Sequence, residues 1–305
     1  MLNDMIPVLH LHSIADINAF IDDKVRHPLV TVVDFGKIDE HFEEGTRISC
    51  DFYIVMFKNY CANKLRYGRK AYDFQDGSLL CTAPGQVFTM DNEIENREDM
   101  MGWGLFFHPD LIRGTSLGNK IKEYSFFSYE TNEALHLSDK EKQVLYDIVQ
   151  KINAELAENI DRHSQTLITS NIELLLNYCT RYYDRQFITR KTTNQDILTK
   201  IEVVLTNYFQ SENISEKGLP TVKYLAEQVH LSPNYLSDLL KRETGMNAKD
   251  RIHYYLVEEA KNLLLSTNKT VGELAFDLGF EYPQYFSRLF KSKTGMTPVE
   301  YRSMN

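Results

Sequence analysis

The sequence predicts an α+β chain of two domains, a β-rich front followed by an all-α back. Three observations predict it. Between about 29 and 110, short runs of β-branched and aromatic residues alternate with turn chemistry. After Ser138, apolar residues recur at spacings of three and four, which is helical periodicity. From Thr221 onward, a helix, a turn and a second helix occur twice. With 305 residues, 43% hydrophobic and 25% charged, the chain has apolar material for two cores.

The first 28 residues contain His10, His12 and the helix-like SIADINAFIDD. Strand-like runs follow: LVTVVDF at 29–35, RISCDFYIVMFK at 47–58, SLLCT at 78–82, QVFTMD at 86–91 and MGWGLFF at 101–107. Asp76-Gly77 and Pro84-Gly85 mark tight connections. This pattern favours a small antiparallel sandwich or barrel over a parallel α/β sheet. Its aromatic supply is large: Phe52, Tyr53, Phe57, Tyr60, Tyr67, Tyr72, Phe74, Phe88, Trp103, Phe106 and Phe107. Alternate members would point inward, either filling a core or lining a ligand cavity. Arg66, Arg69 and Lys70 fit the mouth of such a cavity or a solvated loop equally well.

Ser138 and Glu141 form a capping box, and Leu145, Ile148, Ile152 and Leu156 make the stripe of the helix it starts. A further helix is expected to run to about Arg185, with Ile168, Ile172, Leu175, Cys179 and Tyr182 as a heptad-like seam. The seam fits packing on the front domain or a symmetric dimer contact. The segment RQFITRKTTNQD at 185–196 has few large apolar residues and reads as the linker. The domains are therefore 1–190, with strands at about 29–110 and helices at about 138–186, and 191–305. Thr193 is expected to cap the first back-domain helix, whose apolar face is Ile197, Ile201, Leu205 and Tyr208.

The helix-turn-helix units are expected at about 221–245 and 270–295. In the second, Thr270 and Glu273 form a capping box, and Val271, Leu274, Ala275 and Leu278 are the buried side. Gly279 stops that helix. Pro283 opens the next, whose stripe is Tyr285 or Phe286, Leu289 and Phe290, and Gly295 ends it. TVKYLA at 221–226 matches TVGELA at 270–275, and Thr244-Gly245-Met246 matches Thr294-Gly295-Met296. The copies lie about fifty residues apart, with one extra residue in the second turn. The connector, AKDRIHYYLVEEAKNLLLST, is read as about 16 helical residues, roughly 24 Å.

Composition narrows the function classes. The formal net charge is −9. From Gln195 onward there are 13 Lys+Arg and 14 Asp+Glu, so the acidity belongs mainly to the front and the back is near neutral. Any DNA contact must then rely on local clusters and helix amino termini. Cys50, Cys61, Cys81 and Cys179 lack zinc or redox spacing and read as reduced core thiols. His10 and His12 alternate on an extended segment, but no carboxylate or third histidine stands at ligand spacing in the sequence, so no metal is expected. His41 sits among Glu40, Glu43 and Glu44, an exposed acidic loop. No nucleophile motif or phosphate-cradling glycine loop occurs, so no catalytic residue and no cofactor are expected. The start lacks a secretory pattern and no run is long enough to span a membrane, so a cytoplasmic protein is expected.

The back domain resembles the AraC/XylS family of bacterial transcription regulators. The residues carrying the resemblance are Ala260, Leu263-Leu264, the run Val271 to Phe280, Tyr285-Phe286, Phe290-Lys291, Gly295, Pro298 and Tyr301-Arg302. It covers about the last 110 residues. It implies two helix-turn-helix units in seven helices, and a front domain with a cupin-like barrel and following helices for effector response and dimerisation. The implied function is sequence-specific DNA binding as an activator answering a small-molecule effector, as a homodimer and with RNA polymerase as partner. Carried over by position, the base-facing residues are Asn234, Ser237 and Asp238 on the first recognition helix and Gln284, Ser287 and Arg288 on the second. Lys241, Lys291 and Lys293 are the phosphate candidates. Two positions depart from the family pattern: Asp238 replaces a common basic residue, and Leu256 stands where many members have arginine. The competing readings are a catalytic cupin-like enzyme and an adaptor that uses the helical domain for protein contacts.

Overall fold

A computed structural model of the chain describes residues 8–21, 24–37, 46–58, 66–67, 70–71, 77–89, 102–130, 133–211, 214 and 217–304. Two compact units result, Met1–Ile188 and Thr189–Asn305.

In the front unit, β1 (Val8–Leu11), β3 (Arg47–Cys50) and β8 (Val87–Thr89) form one sheet in the order β1-β3-β8. A second sheet has the order β10-β7-β4-β9-β2, built from β10 (Leu135–His136), β7 (Ser78–Thr82), β4 (Tyr53–Lys58), β9 (Gly102–Phe107) and β2 (Val30–Asp34). β5 (Arg66–Tyr67) and β6 (Lys70–Ala71) pair with each other. The large sheet is antiparallel throughout. The small one is not, because β1 runs parallel to β3.

The run 47–58, expected as one strand, bends at Asp51-Phe52, and its two pieces join different sheets. Leu11, Ile48 and Cys50 from the small sheet then pack with Val33, Ile54, Met56 and Phe106 from the large one. Ile14 and Ile17 of α1 (Ile14–Phe20) complete this core. The expected cupin-like barrel is not found: among the described residues no ladder joins the two sheets, which meet through side chains as a sandwich does. Phe52, Phe57, Trp103, Phe106 and Phe107 are buried and fill the core, and Tyr53 stacks on Phe107 with ring centroids 5.1 Å apart. Tyr60, Tyr72, Phe74, Arg69, His41 and Cys61 lie outside the described residues, as do the side chains of Tyr67, Phe88, Arg66 and Lys70.

Short helices α2 (Pro109–Ile112) and α3 (Ser116–Lys120) follow β9, capped by His108 and Thr115. In α4 (Asp139–Ala157) the four expected stripe residues are buried, and Glu141 accepts the Ser138 backbone N–H at 2.8 Å. α5 spans Ser164–Thr189, so it passes beyond Arg185 and turns the first part of the expected linker into helix. Its last turns are anchored: Gln186 accepts from His136 N at 2.8 Å and donates to Ala134 O at 3.2 Å, and Arg185 pairs with Glu141 at 2.8 Å. These polar ties are invisible to an apolar pattern.

The back unit begins with α6 (Lys191–Gln210), with Arg190 at its N-cap position rather than Thr193. Then come α7 (Val222–Val229), α8 (Pro233–Thr244), α9 (Ala248–Ser266), α10 (Val271–Asp277), α11 (Pro283–Thr294) and α12 (Pro298–Met304). One core joins them, with Ile201 and Leu205 of α6, Leu225 and Leu240 of the first helix-turn-helix, Leu256 and Ala260 of α9, and Leu274, Phe286 and Phe290 of the second. Leu256 is fully buried there, so the departure at this position replaces a charge by core packing. No helix among the described residues is long and apolar enough to cross a membrane.

Candidate nucleic-acid interface

Each helix-turn-helix is assembled by local chemistry. In the first, Thr221 caps α7 by accepting from Tyr224 N at 3.0 Å, His230 takes the left-handed conformation at φ 56° to turn the chain, and Ser232 caps α8. In the second, Thr270 and Glu273 form the expected reciprocal box, with Thr270 N donating to Glu273 Oε2 at 2.7 Å. Glu273 is held below the usual carboxylate range by hydrogen bonds from Thr270, first the backbone and then the hydroxyl. α10 ends at Asp277, and Gly279 turns the chain at φ +78°. A Cβ on Gly279 would lie 2.6 Å from Ile214 O and 2.8 Å from Gly218 Cα, so the turn needs glycine for space as well as for conformation.

Both recognition helices, α8 and α11, start with proline and stop at a left-handed glycine, Gly245 and Gly295. The candidate residues lie in their first two turns. Asn234, Gln284 and Arg288 are exposed, while Ser237, Asp238 and Ser287 are half-buried. Asn234, Ser237 and Asp238 share one helical face, as do Gln284, Ser287 and Arg288, because spacings of three and four put side chains above one another. Lys241 and Lys291 are exposed near the far ends of the two helices. Lys293 is engaged: its Nζ lies 2.8 Å from Asp250 Oδ1, and this contact, ahead of all others, holds the Asp250 carboxyl low.

Sequence reasoning left Tyr285 and Phe286 as alternatives for the apolar stripe. Phe286 is the buried one, and Tyr285 is 56% exposed. The Tyr285 ring carries the Arg288 guanidinium 6.0 Å from its centroid and meets Tyr282 edge-on at 5.8 Å. Two aromatic rings thus flank the second recognition surface. The signal was present in the sequence, since Phe290 stands four residues after Phe286 on the inward face. The second helix also begins without a side-chain cap, whereas Ser232 accepts the Tyr235 N–H of the first at 3.2 Å. An uncapped amino terminus leaves donors and the positive dipole end for an anion.

α9, which joins the units, has 19 residues, about 28 Å of helix, three residues longer than read from the sequence. Asn247 caps it, Arg302 of α12 donates to Leu264 O at 3.0 Å near its end, and Arg251 bonds Glu202 of α6.

A family model described as a helix-turn-helix domain matches residues 225–304, from within α7 to the end of α12. A transcriptional regulator of Bacillus subtilis, the HTH-type protein YfiF, is 29% identical over 78% of this chain and 72% of its own length. The arabinose operon regulatory protein of Escherichia coli is 24% identical over 74% of this chain and 72% of its own. Residues 225–304 thus form a helix-turn-helix domain of the AraC/XylS type. Other matches cover less of this chain. The bifunctional transcriptional activator/DNA repair enzyme AdaA of Bacillus subtilis is 34% identical over 38% of this chain, and the chain spans about half of it, 54%. A solved C-terminal domain of the response regulator yesN of Fusobacterium nucleatum is 33% identical, covering 33% of this chain and 96% of that one, with a TM-score of 0.29.

Proposed function

We propose that this AraC-family protein is a sequence-specific DNA-binding transcription regulator without catalytic activity. The observation that supports it is the pair of exposed recognition helices held on one core by α9. The residues of their first two turns are of the kinds that read base edges: Gln284 suits adenine and Arg288 suits guanine in the major groove. The ~28 Å of α9 plus offsets at its ends is close to one DNA turn, about 34 Å, so both helices can enter successive major-groove segments on one face. Asn234, Ser237 and Asp238 would read the other half-site, with Lys241 and Lys291 on phosphates, and Lys293 joining them only by leaving Asp250.

We further infer an activator that contacts RNA polymerase and answers a small molecule bound by the front unit, whose aromatic-rich sandwich precedes the reader in the chain. A homodimer belongs to this reading, with a change of contact. Ile168, Ile172, Leu175, Cys179 and Tyr182 are all buried within the chain and face its own core. Another side of α5 offers exposed Leu167, Leu174 and Ile188, seven and fourteen residues apart, with Arg181 at the intervening heptad position.

The deciding experiment is electrophoretic mobility against the protein's own upstream DNA across a salt series. Specific binding that weakens steeply as salt rises supports the reading. Binding with no preference over random DNA at any salt overturns it and favours an adaptor.

A further inference from the structure

We propose that His10, His12 and Asp51 bind one divalent transition ion of the zinc type, through two imidazole nitrogens and a carboxylate. This site lies in the front unit and is independent of the DNA reader. Its geometry starts with β1, where Leu11 points into the core while His10 and His12, two residues apart on an extended segment, share the outward face. Their ring centroids are 4.2 Å apart.

Asp51 arrives through the parallel pairing of β1 with β3. Leu11 is in register with Cys50, and Asp51 N donates to Leu11 O at 3.0 Å, which sets the carboxylate beside both rings. Asp51 Oδ1 lies 2.8 Å from His10 Nε2 and Oδ2 lies 2.9 Å from His12 Nδ1. One ligand atom from each of the three lies within 4.8 Å of the others. Small rotations of two exposed rings therefore suffice to place all three around an ion with bonds near 2.0–2.2 Å, the usual range for these donors.

The surroundings favour ligation. Both imidazoles reach the Asp51 carboxylate, His12 and then His10 holding it below the usual carboxylate range. Asp16 fixes the backbone around His12, accepting from His12 N and Ser13 N, each at 2.9 Å. The three side chains are 38%, 72% and 44% exposed, open enough for water to fill further positions. Cys50 is not a fourth ligand, because its side chain is buried in the core cluster with Leu11 and Ile48. Two imidazoles with one carboxylate select zinc, nickel, copper, cobalt or ferrous iron over magnesium and calcium. A bound ion would pin β1 to the corner at Asp51-Phe52 where the chain passes between sheets.

The test uses the full chain without a histidine tag, stripped with chelator and titrated calorimetrically with zinc chloride, then with cobalt(II) while the visible spectrum is read. One equivalent per chain is expected, unaffected by excess magnesium. Asp51→Asn and His12→Ala should each weaken binding at least about tenfold, as even outer-shell substitutions do, and His163→Ala should leave it unchanged. No stoichiometric uptake overturns the site, as does wild-type affinity in the folded His12→Ala chain or competition by magnesium. If Asp51→Asn unfolds, His12→Ala decides, since that side chain is 72% exposed and its removal leaves the core intact.

Discussion

Single residues divide the two halves of the reader. Arg288 is exposed and stacked on Tyr285, whereas its counterpart in the first unit is Asp238, half-buried and acidic. An anion facing phosphates is a cost, so the second helix should carry more of the discrimination. Arg288→Ala should lose about 1–3 kcal/mol of base discrimination, read as the ratio of operator to random-DNA affinity; equal loss on both would make it a phosphate contact. Gln284→Ala should cost more specificity than Asn234→Ala in the same assay, and equal costs would refute the asymmetry. Gly279 is a different case. His230 holds the left-handed turn of the first unit without glycine, but a Cβ added at Gly279 would also lie 2.6 and 2.8 Å from backbone atoms, which cannot swing aside as a side chain would. Gly279→Ala should therefore destabilise by about 3 kcal/mol, measured by urea unfolding, against a small effect at the unhindered Gly295 relative to it.

At the scale of elements, what was legible follows from how local its cause is. The helices of both helix-turn-helix units were readable because caps, prolines and terminal glycines sit within a few positions of the turns they make, as Thr270, Glu273 and Gly295 do. The outward placement of Gln284 and Arg288 follows from helical phase once Phe286 and Phe290 point inward, while their base-facing role rests on the family resemblance. The front was read less well. Five strand runs were recognised, but whether they close is decided by pairing across long stretches of chain, and the bend at Asp51-Phe52 carries neither glycine nor proline. The end of α5 was misread because Gln186 is buried by hydrogen bonds to Ala134 and His136, a partner set some fifty positions away. A separation of 41 and 39 positions likewise hid the tie between Asp51 and the two histidines, where spacing along the chain showed no carboxylate.

For the molecule as a whole, pH should act on stability before it acts on charge pairing. His253, on α9, is pushed below its ordinary 6.5 by burial first, then by Lys293 and Lys249, with Asp250 opposing. His27 in the front unit is lowered by burial. A group depressed in the fold binds its proton more tightly when unfolded, so its contribution is full above about pH 6.5 and is lost as pH falls below it. The urea midpoint should drop between pH 7.5 and 5.5, and His253→Gln should shrink the drop; an unchanged drop would place the effect elsewhere. The depressed carboxylates, Asp250 among them, add a separate loss at more acid pH, below about 4. α9 has one more consequence. As a single continuous helix capped by Asn247 and tied by Arg302, it is a gauge of constant length, and on the proposed function the two units should tolerate only one phase between half-sites. Adding one base pair between them rotates one half by about 35°, turning the base edges away from a protein that has no joint with which to follow them.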